Sequence, residues 1–117
     1  MILYKICNRY GILSVIGVLT PTEILTDYEN GADVVNLFPA NSFGPGYLKD
    51  LKGPLPQIPI ISTGVINVEN VKEYLEASGI AVGLGSSLVN TSKLVEDKDY
   101  EQLTERALSF SKAIENY

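Results

Sequence analysis

The polar residue Asn36 interrupts an otherwise apolar run, which reads DVVNLFPAN from Asp33 to Asn41. Apolar runs rich in β-branched residues are typical of buried strands in parallel sheets. In parallel α/β folds, ligands bind at the carboxyl ends of the strands. An amide near such an end could donate hydrogen bonds to a ligand. The alternative is that Asn36 faces water or a subunit interface and binds nothing specific.

The residues that most often carry catalysis or bind metals are scarce in this chain. It contains no histidine and one cysteine, Cys7, which excludes His-based triads and argues against a zinc site. Four acids near the C-terminus could be mistaken for a metal cluster: Glu96, Asp97, Asp99 and Glu101. Their position before a predicted helix favours a role in complementing its dipole instead. We therefore expect no metal and no cofactor.

The length of the chain indicates the number of domains, and its charge indicates which partners are disfavoured. The 117 residues predict one domain, 1–117, and a net charge of −5 without any basic cluster argues against nucleic acid as a partner. No apolar stretch approaches the roughly 18 residues that span a membrane. A single cysteine fits a reducing cytoplasm.

Short apolar strands alternate with helices along the whole chain. Thr20, Pro21 and Glu23 form the pattern of a capping box, which explains the threonine and the glutamate without a catalytic role. The stretches GVLTPTEI and GVINVENV repeat this arrangement and align Gly17 with Gly64 and Thr20 with Asn67. Strands are predicted over 12–18, 33–38, 58–63 and 80–84, and helices over 2–10, 20–31, 47–51, 67–77 and 99–116.

Four strand–helix units predict an α/β fold that is half of a (β/α)8 TIM barrel, which typically needs about 250 residues. Four parallel strands leave two unpaired edges and an apolar inner face. We expect self-association to complete the barrel, so the chain should be a homo-oligomer. The alternative is a flatter sheet with helices on both faces.

Five motifs occur in register along the chain: GVLTPTEI, LFPA, YLKDLKGPLPQIPIISTG, NVKEYL and AVGLGSSLV. Together they resemble the C-terminal half of the 2-keto-3-deoxy-6-phosphogluconate and 4-hydroxy-2-oxoglutarate aldolases. The resemblance implies a (β/α)8 barrel, a homotrimer and class I aldolase chemistry. In that family a strand lysine forms a Schiff base with pyruvate, and a glutamate from the N-terminal half moves protons.

The position of the family's lysine is occupied here by Asn36. An amide nitrogen is delocalised into its carbonyl and cannot condense with a ketone, whereas a lysine amine can. No lysine of this chain offers a clear substitute, and the sequence contains no counterpart of the N-terminal half. The expected function is that of a pyruvate-forming, lyase-like aldolase relative whose own catalysis is in doubt.

The resemblance also implies a phosphate site in the last two strand loops, at Thr63, Gly64, Gly85 and Ser86. Glycines there let backbone N–H groups approach an anion, although the same residues would serve simple turns. A pocket lined by Asn36, Phe38 and Pro39 is expected beside it. Two departures from the family are Val65, where a second glycine is usual, and Ser87, where a tryptophan is common.

Three functions therefore remain open at this point. The first is an aldolase acting on a phosphorylated 2-keto-3-deoxy sugar acid. The second is a non-catalytic half barrel that binds phosphate or a phosphosugar. The third is a self-associating scaffold.

Overall fold

A computed structural model describes residues 3–78, 80–92 and 100–115 of the chain. Four parallel strands form one sheet in the order β1-β2-β3-β4, and helices connect them. The elements are α1 (Leu3–Arg9), β1 (Val15–Val18), α2 (Pro21–Glu29), β2 (Val34–Leu37), a 3-10 turn (Ala40–Ser42), α3 (Gly44–Lys52), β3 (Ile60–Thr63), α4 (Val71–Ser78), β4 (Ala81–Gly83) and α5 (Tyr100–Ala113). The α/β class and the half-barrel arrangement predicted from the sequence are confirmed.

The sheet has two faces that differ in how they are covered. Side chains alternate along each strand, so residues two apart share a face. On the face that the helices cover, the strand side chains are buried: Ile16, Val18, Val35, Leu37, Ile60 and Ser62. On the opposite face they are half-buried or exposed: Val15, Gly17, Val34, Asn36, Ile61 and Thr63. We call these the covered face and the open face.

The main hydrophobic core lies between the covered face and the helices. Ile24 of α2, Leu48 of α3, Val71 of α4 and Phe110 of α5 are buried against the strand residues there. Each fully buried aliphatic or aromatic side chain of this size stabilises the fold by about 1.5–3 kcal/mol. A smaller cluster of Tyr4, Ile16 and Ala32 fixes α1 against β1 and the segment before β2.

Two helices start with reciprocal caps, of which the sequence predicted the first as a capping box. Thr20 Oγ1 accepts from the backbone N–H of Glu23 at 3.3 Å, and Glu23 Oε2 accepts from the N–H groups of Thr20 at 3.0 Å and Leu19 at 2.6 Å. Asn67 Oδ1 accepts from the N–H of Asn70 at 3.0 Å, and Asn70 Oδ1 accepts from the N–H of Asn67 at 2.8 Å. These caps fix the chain where it leaves β1 and β3.

The helix predicted over 47–51 begins earlier in the structure. Gly44, Pro45 and Gly46 precede the predicted helix but form the first turn of α3. Proline fits there because the N–H groups of a first turn have no partner within the helix. The strands are also shorter than predicted, since flanking apolar residues such as Ile12 and Leu13 are exposed outside β1.

The internal repeat holds for the caps but not for the glycines. Thr20 and Asn67 both precede a helix, whereas Gly17 lies within β1 and Gly64 follows β3 with a φ of 116°. The alignment of Gly17 with Gly64 was therefore wrong, because the loop after β3 is longer than the loop after β1. The predicted features at Glu96, Asp97, Asp99 and Asn116 lie outside the described residues.

Candidate functional site

A cleft of about 480 Å³ lies at the carboxyl ends of β2, β3 and β4. Three loops form it, because the ends of neighbouring parallel strands meet at one edge of the sheet. The lining residues are Phe38, Pro39, Asn41, Thr63, Gly64, Val65, Ile66, Gly83, Leu84, Gly85, Ser86 and Ser87. None of these side chains carries a charge, so the donors that the described lining offers to an anion are N–H and hydroxyl groups.

The structure brings six of the seven predicted site residues together in this cleft: Phe38, Pro39, Thr63, Gly64, Gly85 and Ser86. Asn36 is the exception, because it lies deeper on the open face and does not line the cleft. It is nevertheless linked to the cleft through Thr63, whose Oγ1 donates to Asn36 Oδ1 at 2.9 Å.

The bond between Thr63 and Asn36 determines what each side chain can offer a ligand. Thr63 has one hydroxyl hydrogen, and it is directed at Asn36 rather than into the cleft. Its oxygen can still accept a hydrogen bond. Asn36 keeps its Nδ2 hydrogens as donors on the open face. A direct hydrogen bond from Thr63 to an anion would therefore require the bond to Asn36 to break.

Donors for an anion come instead from the loops after β3 and β4. Within the described part of the chain, no group accepts a hydrogen bond from the backbone N–H of Gly64, Gly85 or Ser86. The carbonyl of Gly85 accepts from the N–H groups of Leu88 and Val89, both at 3.0 Å, which folds the β4 loop into a turn. Available N–H groups in such a loop are suited to bind an anion.

Gly64 holds the β3 loop tightly against the turn after β2. A Cβ atom at Gly64 would lie 3.0 Å from Asn41 Oδ1, 3.1 Å from Ala40 N and 3.2 Å from Pro39 Cα. Its φ of 116° is also rarely adopted by residues with a side chain. Both the close approach and the backbone conformation therefore require glycine at this position.

Gly83 is a site residue that sequence analysis missed. A Cβ atom there would lie 2.1 Å from Thr63 Cγ2, so only glycine leaves space for the threonine in its observed orientation. Thr63 and Gly83 are paired across β3 and β4. This contact depends on the strand register, and no local sequence signal would have indicated it.

Val65 adopts a left-handed conformation, with a φ of 42°. A β-branched residue is strained in this region, and such strain typically costs about 1–3 kcal/mol. The loop is held in place by Asn70, whose Nδ2 donates to the carbonyl of Val65 at 3.2 Å. The valine therefore keeps the backbone conformation that a glycine would adopt easily, and its side chain is exposed at the cleft.

The loop after β4 is anchored from two sides. Ser87 Oγ donates to the carbonyl of Ile66 in the β3 loop. Arg106 of α5 donates through Nε to the carbonyl of Leu88 at 2.9 Å. These bonds join the two loops that contain the predicted anion site, and Arg106 is used here as a structural support.

Comparison with known proteins identifies the family. A model of the family described as KDPG and KHG aldolase matches residues 2–106. The chain belongs to this aldolase family. It is similar to the 2-dehydro-3-deoxy-6-phosphogalactonate aldolase of Escherichia coli K12, with 35% identity over 105 residues that cover 89% of this chain and 49% of that protein. A 2-dehydro-3-deoxy-phosphogluconate aldolase of Haemophilus influenzae is 32% identical over 100 residues, which cover 85% of this chain and 47% of that protein.

Solved structures agree with this membership. The structure described as native KDPGal matches with a TM-score of 0.80 and 34% identity, covering 91% of this chain and 50% of the other. A thiamine phosphate pyrophosphorylase from Pyrococcus furiosus matches with a TM-score of 0.69 and 20% identity, and this likeness concerns the fold alone. The chain thus spans about half the length of the aldolases that it matches.

An aldolase of this family needs a lysine at its site, but no lysine of the described region lines the cleft. Lys52, at the end of α3, donates to the carbonyls of Ile58 at 2.8 Å and Pro56 at 3.2 Å, near the amino end of β3. Lys52 therefore supports the segment before β3 and does not face the strand ends at which the cleft lies. The described residues also contain no group of three or more His, Cys, Asp or Glu side chains placed to hold a metal ion. No described helix is long and apolar enough to cross a bilayer.

Proposed function

We propose that this aldolase-family chain binds phosphate, or the phosphate group of a phosphorylated 2-keto sugar acid, and does not itself form a Schiff base. The observation that carries the proposal is the set of backbone N–H groups at Gly64, Gly85 and Ser86, which find no acceptor among the described residues and border one cleft at the strand ends. These donors, with the Ser86 hydroxyl, suit the three oxygens of a phosphate monoester.

A catalytic aldolase remains the second candidate, because family membership favours it. Imine chemistry needs an unprotonated amine beside the bound ketone. Asn36 occupies the position at which the resemblance expects that amine, and its amide oxygen is engaged by Thr63. The chemistry available to Asn36 is hydrogen bonding through Nδ2, which can orient a keto or carboxylate oxygen but cannot form a covalent bond to it.

Phosphate binding is tested by titration with inorganic phosphate and with 2-keto-3-deoxy-6-phosphogluconate, followed by thermal unfolding. At 100 times the dissociation constant, a ligand should raise the free energy of unfolding by about 2.7 kcal/mol. Ser86→Asp should abolish this stabilisation, because its carboxylate would repel the anion. Ser111→Asp is the matched control, since Ser111 is exposed on α5 and does not line the cleft. Equal loss in both variants, or no stabilisation of the natural chain, would refute the proposal.

Schiff-base chemistry is tested by incubating the chain with pyruvate, reducing it with borohydride and measuring the intact mass. We expect no pyruvyl adduct on the natural chain, and an adduct on Asn36→Lys if the pocket is assembled. A full-length family aldolase that labels is the positive control. An adduct mapped to a lysine of the natural chain would contradict the proposal and favour the catalytic candidate.

We also propose that the open face is covered by a second copy of the chain. Val15 is 46% exposed on that face, and the edges of β1 and β4 have no neighbouring strand among the described residues. The matched aldolases are about twice as long as this chain. A second copy would supply a number of strands and helices similar to those of the half that the chain does not match. Light scattering over a range of concentrations should report at least a dimer, and a constant monomer mass would contradict self-association.

A further inference from the structure

A space on the open face lies beside Asn36, outside the cleft lining. Gly17 of β1 is the residue paired with Asn36 across the first two strands. A Cβ atom added at Gly17 would meet no described heavy atom within 4 Å. Neighbouring strands lie about 4.8 Å apart, so a side chain at position 17 would stand directly beside the Asn36 amide. The glycine therefore leaves room for a ligand atom at this place.

The Asn36 amide presents a donor to this space. Its Oδ1 accepts the hydroxyl hydrogen of Thr63 on β3, whereas Gly17 lies on β1, at the other side of β2. The oxygen and the nitrogen of an amide diverge from one carbon atom, so Nδ2 is directed away from Thr63. Within the described residues, the bond from Thr63 is the hydrogen bond of the Asn36 side chain, and both Nδ2 hydrogens can donate to a ligand.

We infer that Asn36 and Gly17 form a second binding subsite, which holds an acceptor oxygen of a 2-keto acid without a covalent bond. The carboxylate or keto oxygen of the ligand would accept from Asn36 Nδ2 in the space over Gly17. Thr63 is the positioning residue, because its hydroxyl fixes which end of the amide faces the ligand. The inference deepens the proposed function and rests on it for the phosphate end, since the acid end of the same ligand would lie at Asn36.

The level of the subsite on the sheet connects it with the cleft. Asn36 is one residue before the end of β2, and Gly17 is one residue before the end of β1. Thr63 ends β3, lines the cleft and bonds Asn36 at 2.9 Å. Val15 and Val34 lie two residues deeper on the same face. A second copy packed on this deeper pair would close the space from below and leave it open towards the cleft.

Among the described residues, no contact requires glycine at position 17. The φ of Gly17 is not positive, unlike that of Gly64, and no described atom crowds its Cβ position. Glycine inside a strand weakens it, because the unfolded chain gains entropy and no side chain packs. Such glycines often mark sites where a ligand approaches the backbone closely. Gly17 is thus explained by the space that it leaves beside a hydrogen-bond donor.

The first test is an NMR titration of the natural chain with three probes: inorganic phosphate, pyruvate and 2-keto-3-deoxy-6-phosphogluconate. Phosphate represents one end of the ligand, pyruvate represents the other, and the sugar acid has both. We expect pyruvate to shift the side-chain NH2 signals of Asn36 and the backbone N–H signal of Gly17. Phosphate should shift the N–H signals of Gly64, Gly85 and Ser86. The phosphorylated sugar acid should shift both sets.

Gly17→Val tests the space directly. Valine is favoured in strands, so this variant should fold while its side chain fills the space. We expect the pyruvate-induced shifts of Asn36 to be lost and the phosphate-induced shifts to remain. Ala81→Val is the matched control, since Ala81 is a small residue of β4, two strands away from Asn36. Equal loss in the two variants would overturn the inference.

Asn36→Asp tests the donor. Aspartate keeps an oxygen that can accept from Thr63 but replaces the Nδ2 donor by a second acceptor. Pyruvate should bind about 10-fold more weakly to this variant. Asn30→Asp adds the same charge at the C-terminal cap of α2 and should bind pyruvate as the natural chain does. Unchanged affinity of Asn36→Asp would mean that the amide does not donate to the ligand, and the inference would be wrong.

The positioning role of Thr63 is tested by two substitutions. Thr63→Val has nearly the same shape but lacks the hydroxyl, so the amide of Asn36 is no longer fixed, and pyruvate should bind about 2- to 3-fold more weakly. Thr63→Ser keeps the hydroxyl and should bind pyruvate as the natural chain does. Equal weakening in both variants would assign the effect to the packing of the threonine methyl group against Gly83 and would refute the positioning role.

The outcomes separate the inference from the proposed function. If phosphate shifts its three N–H groups but neither pyruvate nor the sugar acid shifts Asn36, the subsite is refuted and the proposed phosphate binding stands. If pyruvate shifts Asn36 but phosphate shifts nothing, the proposed phosphate binding fails and the subsite for the acid end stands. If none of the probes produces a shift, both fail.

Discussion

The two faces of the same four strands differ in the burial and the hydrogen bonding of their side chains. On the covered face, Val35, Leu37 and Ile60 are fully buried against helices. On the open face, Val15 is exposed, and Asn36 and Thr63 satisfy each other by a hydrogen bond. Since alternation along a strand sends neighbouring residues to opposite faces, adjacent positions have different environments. The covered face stabilises this chain, whereas the open face carries the bonded pair Asn36 and Thr63, of which Thr63 lines the cleft.

The covered face also contains an unsatisfied polar atom. Ser62 is fully buried there, and its Oγ has no hydrogen-bond partner among the described residues. Such an atom typically costs about 1–3 kcal/mol. Its neighbour Thr63, on the open face, has its hydroxyl bonded to Asn36. Apolar packing on the covered face is thus extensive enough to tolerate a defect that the open face avoids.

The largest expected effect comes from two adjacent isoleucines of β3. Ile60→Ala should lower the free energy of unfolding by about 2–5 kcal/mol, because Ile60 is fully buried on the covered face. Ile61→Ala should cost about 1 kcal/mol or less in the dilute chain, because Ile61 is half-buried on the open face. Urea unfolding of both variants measures the difference.

The same pair tests whether the open face is covered at higher concentration. If a second copy packs on that face, the cost of Ile61→Ala should grow with protein concentration, while the cost of Ile60→Ala should change little. Equal costs at every concentration would mean that the two faces are buried to the same extent, and the contrast between them would be lost.

The sequence was sufficient to predict the class and order of the elements, because apolar runs and helix caps repeat at strand–helix spacing. The sequence did not predict where the strands and helices begin and end. Ile58 is fully buried but precedes β3, and Gly44, Pro45 and Gly46 form a helical turn although each usually interrupts structure. Element ends depend on tertiary packing and on which backbone groups find partners, which composition alone does not reveal.

The sequence likewise predicted some residues of the candidate site and missed others. Thr63, Gly64, Gly85 and Ser86 could be chosen from the sequence, since the topology brings strand ends together and the family resemblance marked these loops. The contact of Gly83 with Thr63 and the left-handed Val65 could not be chosen. The first depends on the register between two strands, and the second on a backbone angle that valine normally avoids.

A valine-to-glycine substitution should change the free energy of unfolding in opposite directions at the cleft and on the covered face. Val65→Gly should raise the free energy of unfolding by about 1 kcal/mol, because release of the left-handed strain exceeds the entropy that glycine adds to the unfolded chain. Val35→Gly, in the buried part of β2, should lower it by about 3 kcal/mol. Thermal or urea unfolding measures both, and a destabilising Val65→Gly would show that the valine side chain makes favourable contacts at the cleft.

The smallest expected effect distinguishes the two caps that follow β1 and β3. The N–H groups of Thr20 and, to a lesser extent, Leu19 hold the pKa of Glu23 below the ordinary value of 4.5. The contribution of this cap is therefore complete above pH 4.5 and is lost as the pH falls through the lowered pKa of the folded state. The Asn67–Asn70 cap contains no group that titrates in this range.

The measurement is the free energy of unfolding between neutral pH and the acid range, for the natural chain and for Glu23→Gln. Glutamine at this position keeps a capping oxygen but does not titrate. The stability of the natural chain should therefore fall toward that of Glu23→Gln as the glutamate is protonated, while Asn70→Ala should lower stability by the same amount at every pH. If the difference between the natural chain and Glu23→Gln were constant with pH, the carboxylate of Glu23 would not be stabilising α2 through its charge, and the two caps would be equivalent.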